Sequence, residues 1–356
     1  MTDFNGWDMP LLYSGMTQEH LMTRAKVGLF DLCHMGRVMV RGPRALGYLQ
    51  RLTPAHLAAA RPGQVLYSFL LNEQGRTIDD ITIYVGTDEH MVVVNAGNHD
   101  RDVEWMNARA AEQDGVEIED RSFSWGMIAV QGPESDAVMD AAGLAATASL
   151  GYYCFGSFTI EGVPAVVSAT GYTGERGYEV YLPTERVEAL WLRLAEAATN
   201  RGGGAVGLGA RDSLRLEAAM PLFGHELTDD TTPLDAGLGK FVDFDRPDFV
   251  GRDALAAIRD TGGPGRRLVC MAMNQRGPVP RQGTAVCVSG VDDPVGIVTS
   301  GIMSPSLGVN IAMAYVDRQW ARVGTGLEFD IRGRRHPAGV VRRPFYKRST
   351  QDGSAV

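Results

Sequence analysis

The sequence predicts an α+β protein: two similar mixed halves, then a small all-β unit. Three observations carry this. A strand, a Gly-Pro turn and a helix, followed by a hairpin and then a further strand and helix, occur twice, with Gly42-Pro43 and Gly132-Pro133 as the registers. The repeat is weak in sequence, and coincidence is the competing explanation. From residue 267 onward the pattern changes to short strand-like runs with frequent turns, the mark of a small barrel or sandwich. Between the two patterns, T-G-G-P-G at 261–265 reads as a linker. The halves then fall at about 1–120 and 121–260, and the all-β unit at 266–348. A ligand held between two like halves is the natural expectation.

Taken in order, residues 1–16 are loop-like, with Gly6, Pro10 and Gly15. Thr17 is a candidate cap for a helix running to about Lys26, and Gly28 breaks that helix before a strand ending near His34. A strand at 37–40 leads through Gly42-Pro43 into a helix ending at Leu52, where Pro43 suits the first turn. Residues 67–71 and 77–85 read as antiparallel strands joined at 72–75, and 91–94 as another buried strand. Asn98 is positioned to cap a helix over about 99–112. The second half repeats the plan: a strand at 127–130, a helix at 134–142, strands near 157–169 and 178–182, and a helix from Thr184 to about Ala197. A helix from Arg211 to Met220 precedes Pro221, and the stretch to Ile258 is mixed. Six strands follow, at 267–273, 284–288, 295–300, 311–316, 327–331 and 336–341.

Net charge is −9, so the chain has no basic excess to release counterions from nucleic acid or to bind an anionic membrane. An anionic ligand would need a local basic pocket. Cys33, Cys154, Cys270 and Cys287 are scattered with no CxxC, which fits reduced thiols of a cytoplasmic protein. No apolar run reaches membrane-spanning length, and the first residues lack the basic and apolar regions of a signal peptide. The histidines form no HxH or HxxxH pair, so no metal is expected. Gly202-Gly203-Gly204 lacks the flanking pattern of a nucleotide cradle and reads as loop.

The stretch from Val166 to Glu217 holds the chemistry. Gly171, Gly174 and Gly177 are spaced by three, which lets backbone approach a ligand or another segment. Alternation along the following strand puts Glu179 opposite to Tyr178 and Val180. Arg211 opens a helix after a second glycine-rich run. A carboxylate and a guanidinium in apolar surroundings need partners, and a mutual ion pair would satisfy both. Asp100 and Asp102 both sit at the start of a helix, where the macrodipole favours either, and sequence does not choose between them. Tyr346, Lys347 and Arg348 follow Arg342 and Arg343, as in a solvated basic tail.

The motifs G-Y-T-G-E-R-G-Y-E (171–179) and G-L-G-A-R-D-S-L-R-L-E-A (207–218) resemble the glycine cleavage system T-protein family of aminomethyltransferases. So do V-G-L-F-D-L-C-H-M-G (27–36), Y-S-F-L-L-N-E-Q-G (67–75), T-S-G-I-M-S-P-S-L-G (299–308) and N-I-A-M-A-Y-V (310–316). The resemblance spans nearly the whole chain. It implies two related folate-binding α+β domains followed by a C-terminal β-barrel, around a central folate channel. It implies transfer of a one-carbon unit from the aminomethyl-lipoyl arm of H-protein to tetrahydrofolate, with release of ammonia. Residue by residue, it places the catalytic carboxylate on Asp102 in N-A-G-N-H-D-R-D (95–102), where the helix end would keep it ionised. It places the pterin-binding carboxylate on Glu179 and a folate-contacting arginine on Arg211. Tyr67 and Asn95 match positions beside the site, though a hairpin or turn role suits each equally. Tyr346 and Arg348 would close the site against the folate tail. The match departs at the N-terminus: family members carry a further segment before D-F-x-G-W, which bears on the packing of the first domain.

Two competing readings share the fold. One is a tetrahydrofolate-dependent demethylase of a small S-, O- or N-methyl compound. The other is a non-enzymatic folate-binding relative that assists iron–sulfur proteins; its K-G-C-Y-x-G-Q-E motif is absent here, where F-V-G-R-D-A-L (249–255) lacks the cysteine.

Overall fold

A computed structural model describes residues 1–112, 114–291 and 293–348. A hairpin of β1 (Thr2–Phe4) and β2 (Trp7–Met9) leads to α1 (Met16–Ala25) and β3 (Gly28–Asp31). The first sheet comes next: β4 (Gly36–Arg41), α2 (Ala45–Leu52), β5 (Gln64–Leu71), β6 (Thr77–Val85), β7 (Glu89–Val94), α3 (His99–Ala110) and β8 (Glu117–Asp120). The second follows the same plan: β9 (Trp125–Gln131), α4 (Ser135–Ala141), β10 (Phe155–Ile160), β11 (Val163–Ser168), β12 (Gly177–Pro183), α5 (Val187–Thr199) and β13 (Gly204–Ala205). The sheet orders are β5-β6-β7-β4-β8 and β10-β11-β12-β9-β3-β13. Strand for strand the two orders correspond, so the faint repeat in sequence becomes a matching topology. The exception is β3, which comes early in the chain yet lies beside β9 in the second sheet.

Each sheet buries one face under helices and turns the other toward its counterpart. In α2, Ala45, Tyr48, Leu49 and Leu52 recur at helical spacing and pack on Ile81, Ile83 and Val85 of β6. In β12, Tyr178, Val180 and Leu182 face Leu190 and Leu194 of α5. The inner faces share one cluster, with Phe30, Met39, Val65, Tyr84, Met127 and Tyr181 in it. The layers therefore run helix, sheet, sheet, helix.

Next come α6 (Leu208–Glu217), α7 (Arg252–Asp260) and the strands β14 (Arg266–Met273), β15 (Ala285–Cys287), β16 (Gly296–Met303), β17 (Asn310–Asp317), β18 (Gly326–Ile331) and β19 (Arg334–Val341). These six strands close into a barrel in the order β14-β17-β16-β15-β18-β19. Phe69 and Leu71 of β5 and Leu216 of α6 pack against Met313 and Tyr315 of the barrel. Helix α7 lies in the stretch that reads as mixed; its apolar residues do recur at helical spacing, and Leu255 is the one it buries. Helix α6 begins at Leu208, ahead of the expected Arg211, since its N-terminus is held from outside by Glu19. The N-terminal residues pack: Phe4 lies edge-on to His34 at 5.5 Å, and Trp7 stacks on Phe123 at 6.2 Å. All four cysteines are free, and burial pushes the Cys33 thiol up to about 11 and Cys270 to about 12. Among the described residues no helix is long and apolar enough to cross a membrane.

Candidate functional site

The glycine-rich turn before β12 is built around one amide. Gln131 donates from Nε2 to the carbonyls of Thr170 (3.0 Å) and Tyr178 (3.3 Å), and its Oε1 accepts the Thr173 hydroxyl at 3.0 Å. A Cβ on Gly171 or Gly177 would collide with that amide. The segment these glycines admit is therefore the Gln131 side chain, which pins the turn and sets the start of β12.

Alternation then aims Glu179 and Tyr181 at the first sheet. Thr170 donates its hydroxyl to Glu179 Oε2, and the phenols of Tyr84 and Tyr181 lie 3.4 Å from the same oxygen. Ser168 backs Thr170 at 2.6 Å, and Tyr84 meets Tyr181 at 2.6 Å. Among the described residues, every hydrogen bond to this carboxylate ends on Oε2, leaving Oε1 free. Burial raises the proton affinity of Glu179, opposed by the Thr170 hydroxyl and the charge of Arg211.

Arg211 lies on α6. The helix start is fixed by Glu19, whose carboxylate accepts the N–H groups of Tyr13 (2.6 Å), Ser14 (2.7 Å), Gly15 (3.0 Å) and Gly207 (2.8 Å). Glu19 thus does at α1 the work expected of Thr17, and its donors hold its pKa down against burial. The Arg211 guanidinium sits 5.0 Å from the Tyr172 ring centroid and, among the described residues, forms no hydrogen bond or ion pair. The mutual Glu179–Arg211 pair that the sequence allowed is not formed. Nearby His34 is pushed down to about 3 by burial and by the cations Arg211 and Arg37, so its imidazole is neutral.

The acidic residues divide between the two faces of β6. Ile81, Ile83 and Val85 face the helices and Tyr84 faces the second sheet, so Asp79 points to the helical side and Asp80 to the inner side. Asp80 accepts the Tyr67 hydroxyl at 2.9 Å on Oδ2 and the Asn95 side-chain amide at 3.0 Å on Oδ1. Burial and the neighbouring Asp79 charge push Asp80 up to about 7. The phenol of Tyr153 feels both Glu179 and Asp80, and that of Tyr172 feels both Asp80 and Arg211. Tyr153 and Tyr172 thus lie within electrostatic range of Asp80 on one side and of Glu179 or Arg211 on the other.

Asp102 stands apart from it. It is 0% exposed, on the helical side of the first sheet, and burial followed by the Asp79 charge pushes it up to about 11. The expectation that the helix end keeps Asp102 ionised fails, because desolvation and a like charge outweigh the helix end. Asn98 does not cap α3 with its side chain either; its amide goes to Asp79. Sequence reading passed over Asp80. The available signal was the Asp79-Asp80 doublet inside a strand, where aspartate is disfavoured and alternation must place one carboxyl on each face.

Tyr346 and Arg348 are placed differently from the other candidates. The Tyr346 ring lies under Arg24 at 3.8 Å, and its N–H donates to the Glu217 carbonyl at 2.9 Å. Arg348 lies 6.0 Å from the Tyr152 ring.

The sequence matches the GCVT N-terminal domain family over residues 1–246 and the glycine cleavage T-protein C-terminal barrel domain over residues 266–347. The chain belongs to the glycine cleavage T-protein family. An aminomethyltransferase of Symbiobacterium thermophilum is 46% identical over 98% of this chain and 93% of its own length. That of Streptomyces coelicolor is 44% identical, with 98% and 94% covered. The crystal structure of the glycine cleavage system aminomethyltransferase T from Bartonella henselae superposes with a TM-score of 0.91 at 34% identity, covering 98% of this chain and 94% of that one. This member of the T-protein family thus has the fold that its motifs implied.

Proposed function

We propose that this chain is an aminomethyltransferase of the glycine cleavage system, passing the one-carbon unit of aminomethylated, lipoylated H-protein to tetrahydrofolate with release of ammonia. The observation that carries the reading is the Glu179–Arg211 neighbourhood: among the described residues the carboxylate is hydrogen-bonded on one oxygen only and the guanidinium on none, while Asp80, on the inner side of the first sheet, is raised to about 7. The donor set fits a pterin. Oε1 of Glu179, with Oε2, can accept the parallel N–H groups of an aminopyrimidinone edge, and Arg211 can donate to its carbonyl. Bound tetrahydrofolate supplies the nucleophilic nitrogen N5.

The protein's own share is orientation and proton handling. Tyr67 and Asn95 fix one oxygen each of Asp80. With a pKa of about 7, Asp80 can hold or release a proton at neutral pH where an amine departs. We therefore assign the catalytic carboxyl to Asp80 rather than Asp102. The tail bearing Tyr346 and Arg348 is proposed to border the entrance, and the cytoplasm is the proposed compartment.

The test is turnover of aminomethylated H-protein with tetrahydrofolate. Asp80→Asn is expected to lower kcat by roughly 10²-fold or more with folate Kd nearly unchanged, the pattern of a group acting in the transition state. Full activity in that variant would remove Asp80 from the chemistry. Turnover of small methyl donors but not of H-protein would replace this reading with a demethylase.

A further inference from the structure

Behind Asp80 lies a carboxyl pair for which the reaction itself has no use. Asp79 and Asp102 meet between β6 and α3, both 0% exposed. Asp79 accepts the backbone N–H of Asn95 at 2.9 Å, the Asn95 side-chain amide at 2.9 Å and the Asn98 amide at 2.5 Å. Among the described residues, no N–H or hydroxyl reaches either oxygen of Asp102. Arg101, its neighbour in sequence, turns instead to the Ile78 carbonyl and to Asp229. Two carboxylates in contact cannot both be ionised in a buried site without a countercharge, and a buried polar group needs a partner. A single proton satisfies both demands. Carried by Asp102, it makes that residue a donor and Asp79 its acceptor.

The pair is wired to the inner face. Nδ2 of Asn95 bonds Asp79 Oδ1 at 2.9 Å and Asp80 Oδ1 at 3.0 Å, so one amide spans the edge of the sheet between the two carboxylates. We propose that Asp79 and Asp102 form a proton-sharing pair that positions Asp80: ionised Asp79 holds Asn95 against Asp80 from behind the sheet, and neutral Asp102 keeps Asp79 ionised. The inference rests on the reading of Asp80 as the proton-handling group. The groups facing Asp80 are Tyr67 from β5, Asp79 from β6, Asn95 after β7, Tyr153 from the segment before β10 and Tyr172 from the glycine-rich turn. Arg211 and Arg215 of α6 lie beyond Tyr172, and Arg101 lies beside Asp102. Burial raises all three tyrosines, so Asp79 is the nearby group whose charge Asp80 feels at neutral pH.

The experiment is the pH profile of turnover in the full chain with H-protein and tetrahydrofolate. Removing the Asp79 charge makes Asp80 give up its proton more easily. In Asp79→Asn the midpoint of the limb should therefore move to lower pH by about one unit, whether the acid or the base form is active. In Asp102→Asn an amide can still donate to Asp79, and the midpoint should stay at the wild-type value. In Asp102→Leu no donor remains, Asp79 takes the proton itself, and the midpoint should fall as in Asp79→Asn. An unmoved midpoint in Asp79→Asn overturns the proposal. Carbon NMR of carboxyl-labelled aspartates gives a check that needs no variant to turn over. Wild-type protein should show one aspartate that stays protonated above neutral pH, and its signal should vanish in Asp102→Asn. If all aspartates are ionised there while Asp80→Asn is inactive, this inference fails and the reading of Asp80 stands. If Asp80→Asn turns over normally, it is the reading of Asp80 that fails.

Discussion

Glu217 and Glu179 are both carboxylates close to α6, yet the structure treats them oppositely. Glu217 is saturated. Its oxygens take His20 Nε2 at 3.0 Å, Arg24 Nη2 at 3.1 Å, the Ser306 N–H at 3.0 Å, the Ser306 hydroxyl at 2.7 Å and the Ser304 hydroxyl. Arg24 continues to Glu175 at 2.8 Å, so α1, α6, the glycine-rich turn and a barrel loop meet in one knot. Burial alone would raise Glu217, but donors led by His20 and Ser304 carry it down to about 2. Glu179 is half-buried, has few donors, and stays raised by desolvation. Donor count, together with exposure, separates the saturated carboxylate from the one proposed to take a ligand.

Removing Glu217 should have the largest effect on this contrast. Glu217→Ala is expected to cost about 3–5 kcal/mol of stability, because it leaves His20, Ser304 and one edge of Arg24 enclosed without their acceptor. Urea unfolding measures it; a loss of folate affinity with no loss of stability would erase the distinction. The same group has a pH signature. Its folded pKa lies below the unfolded value, so its contribution is complete above about 4.5 and should be lost as pH falls toward about 2. That acid loss should be absent from Glu217→Gln.

Glu179→Gln should do the reverse. Folate binding should weaken by about 1–3 kcal/mol, the cost of a charge-assisted pair, while the urea midpoint barely moves. Titration calorimetry reads the first, and a large stability loss would mean that Glu179 belongs to the framework. Arg211→Lys sharpens the contrast at the smallest scale. A point charge cannot reproduce a planar fork, so affinity should fall by about 1 kcal/mol with stability retained. Equal affinity would make Arg211 a general cation.

The barrel strands and the doubled strand–Gly-Pro–helix plan could be read from the amino acids, since period-two alternation and turn residues are local properties of the chain. The motifs also point to Glu179, Arg211, Tyr67 and Asn95, whose part in folate binding is proposed here. Folding in three dimensions assigned the roles that depend on surroundings. It set β3 in the second sheet, gave Asp80 the inner face and sealed Asp102 behind it. It brought Ser304 and Ser306 to Glu217 across a long separation in sequence and, among the described residues, brought no donor to Glu179 Oε1. A strand's alternation says that neighbouring side chains take opposite faces. Which face is dry, and which donors wait there, depends on segments that meet only when the layers close, and those decide whether a carboxyl is an anion, an acid or a ligand.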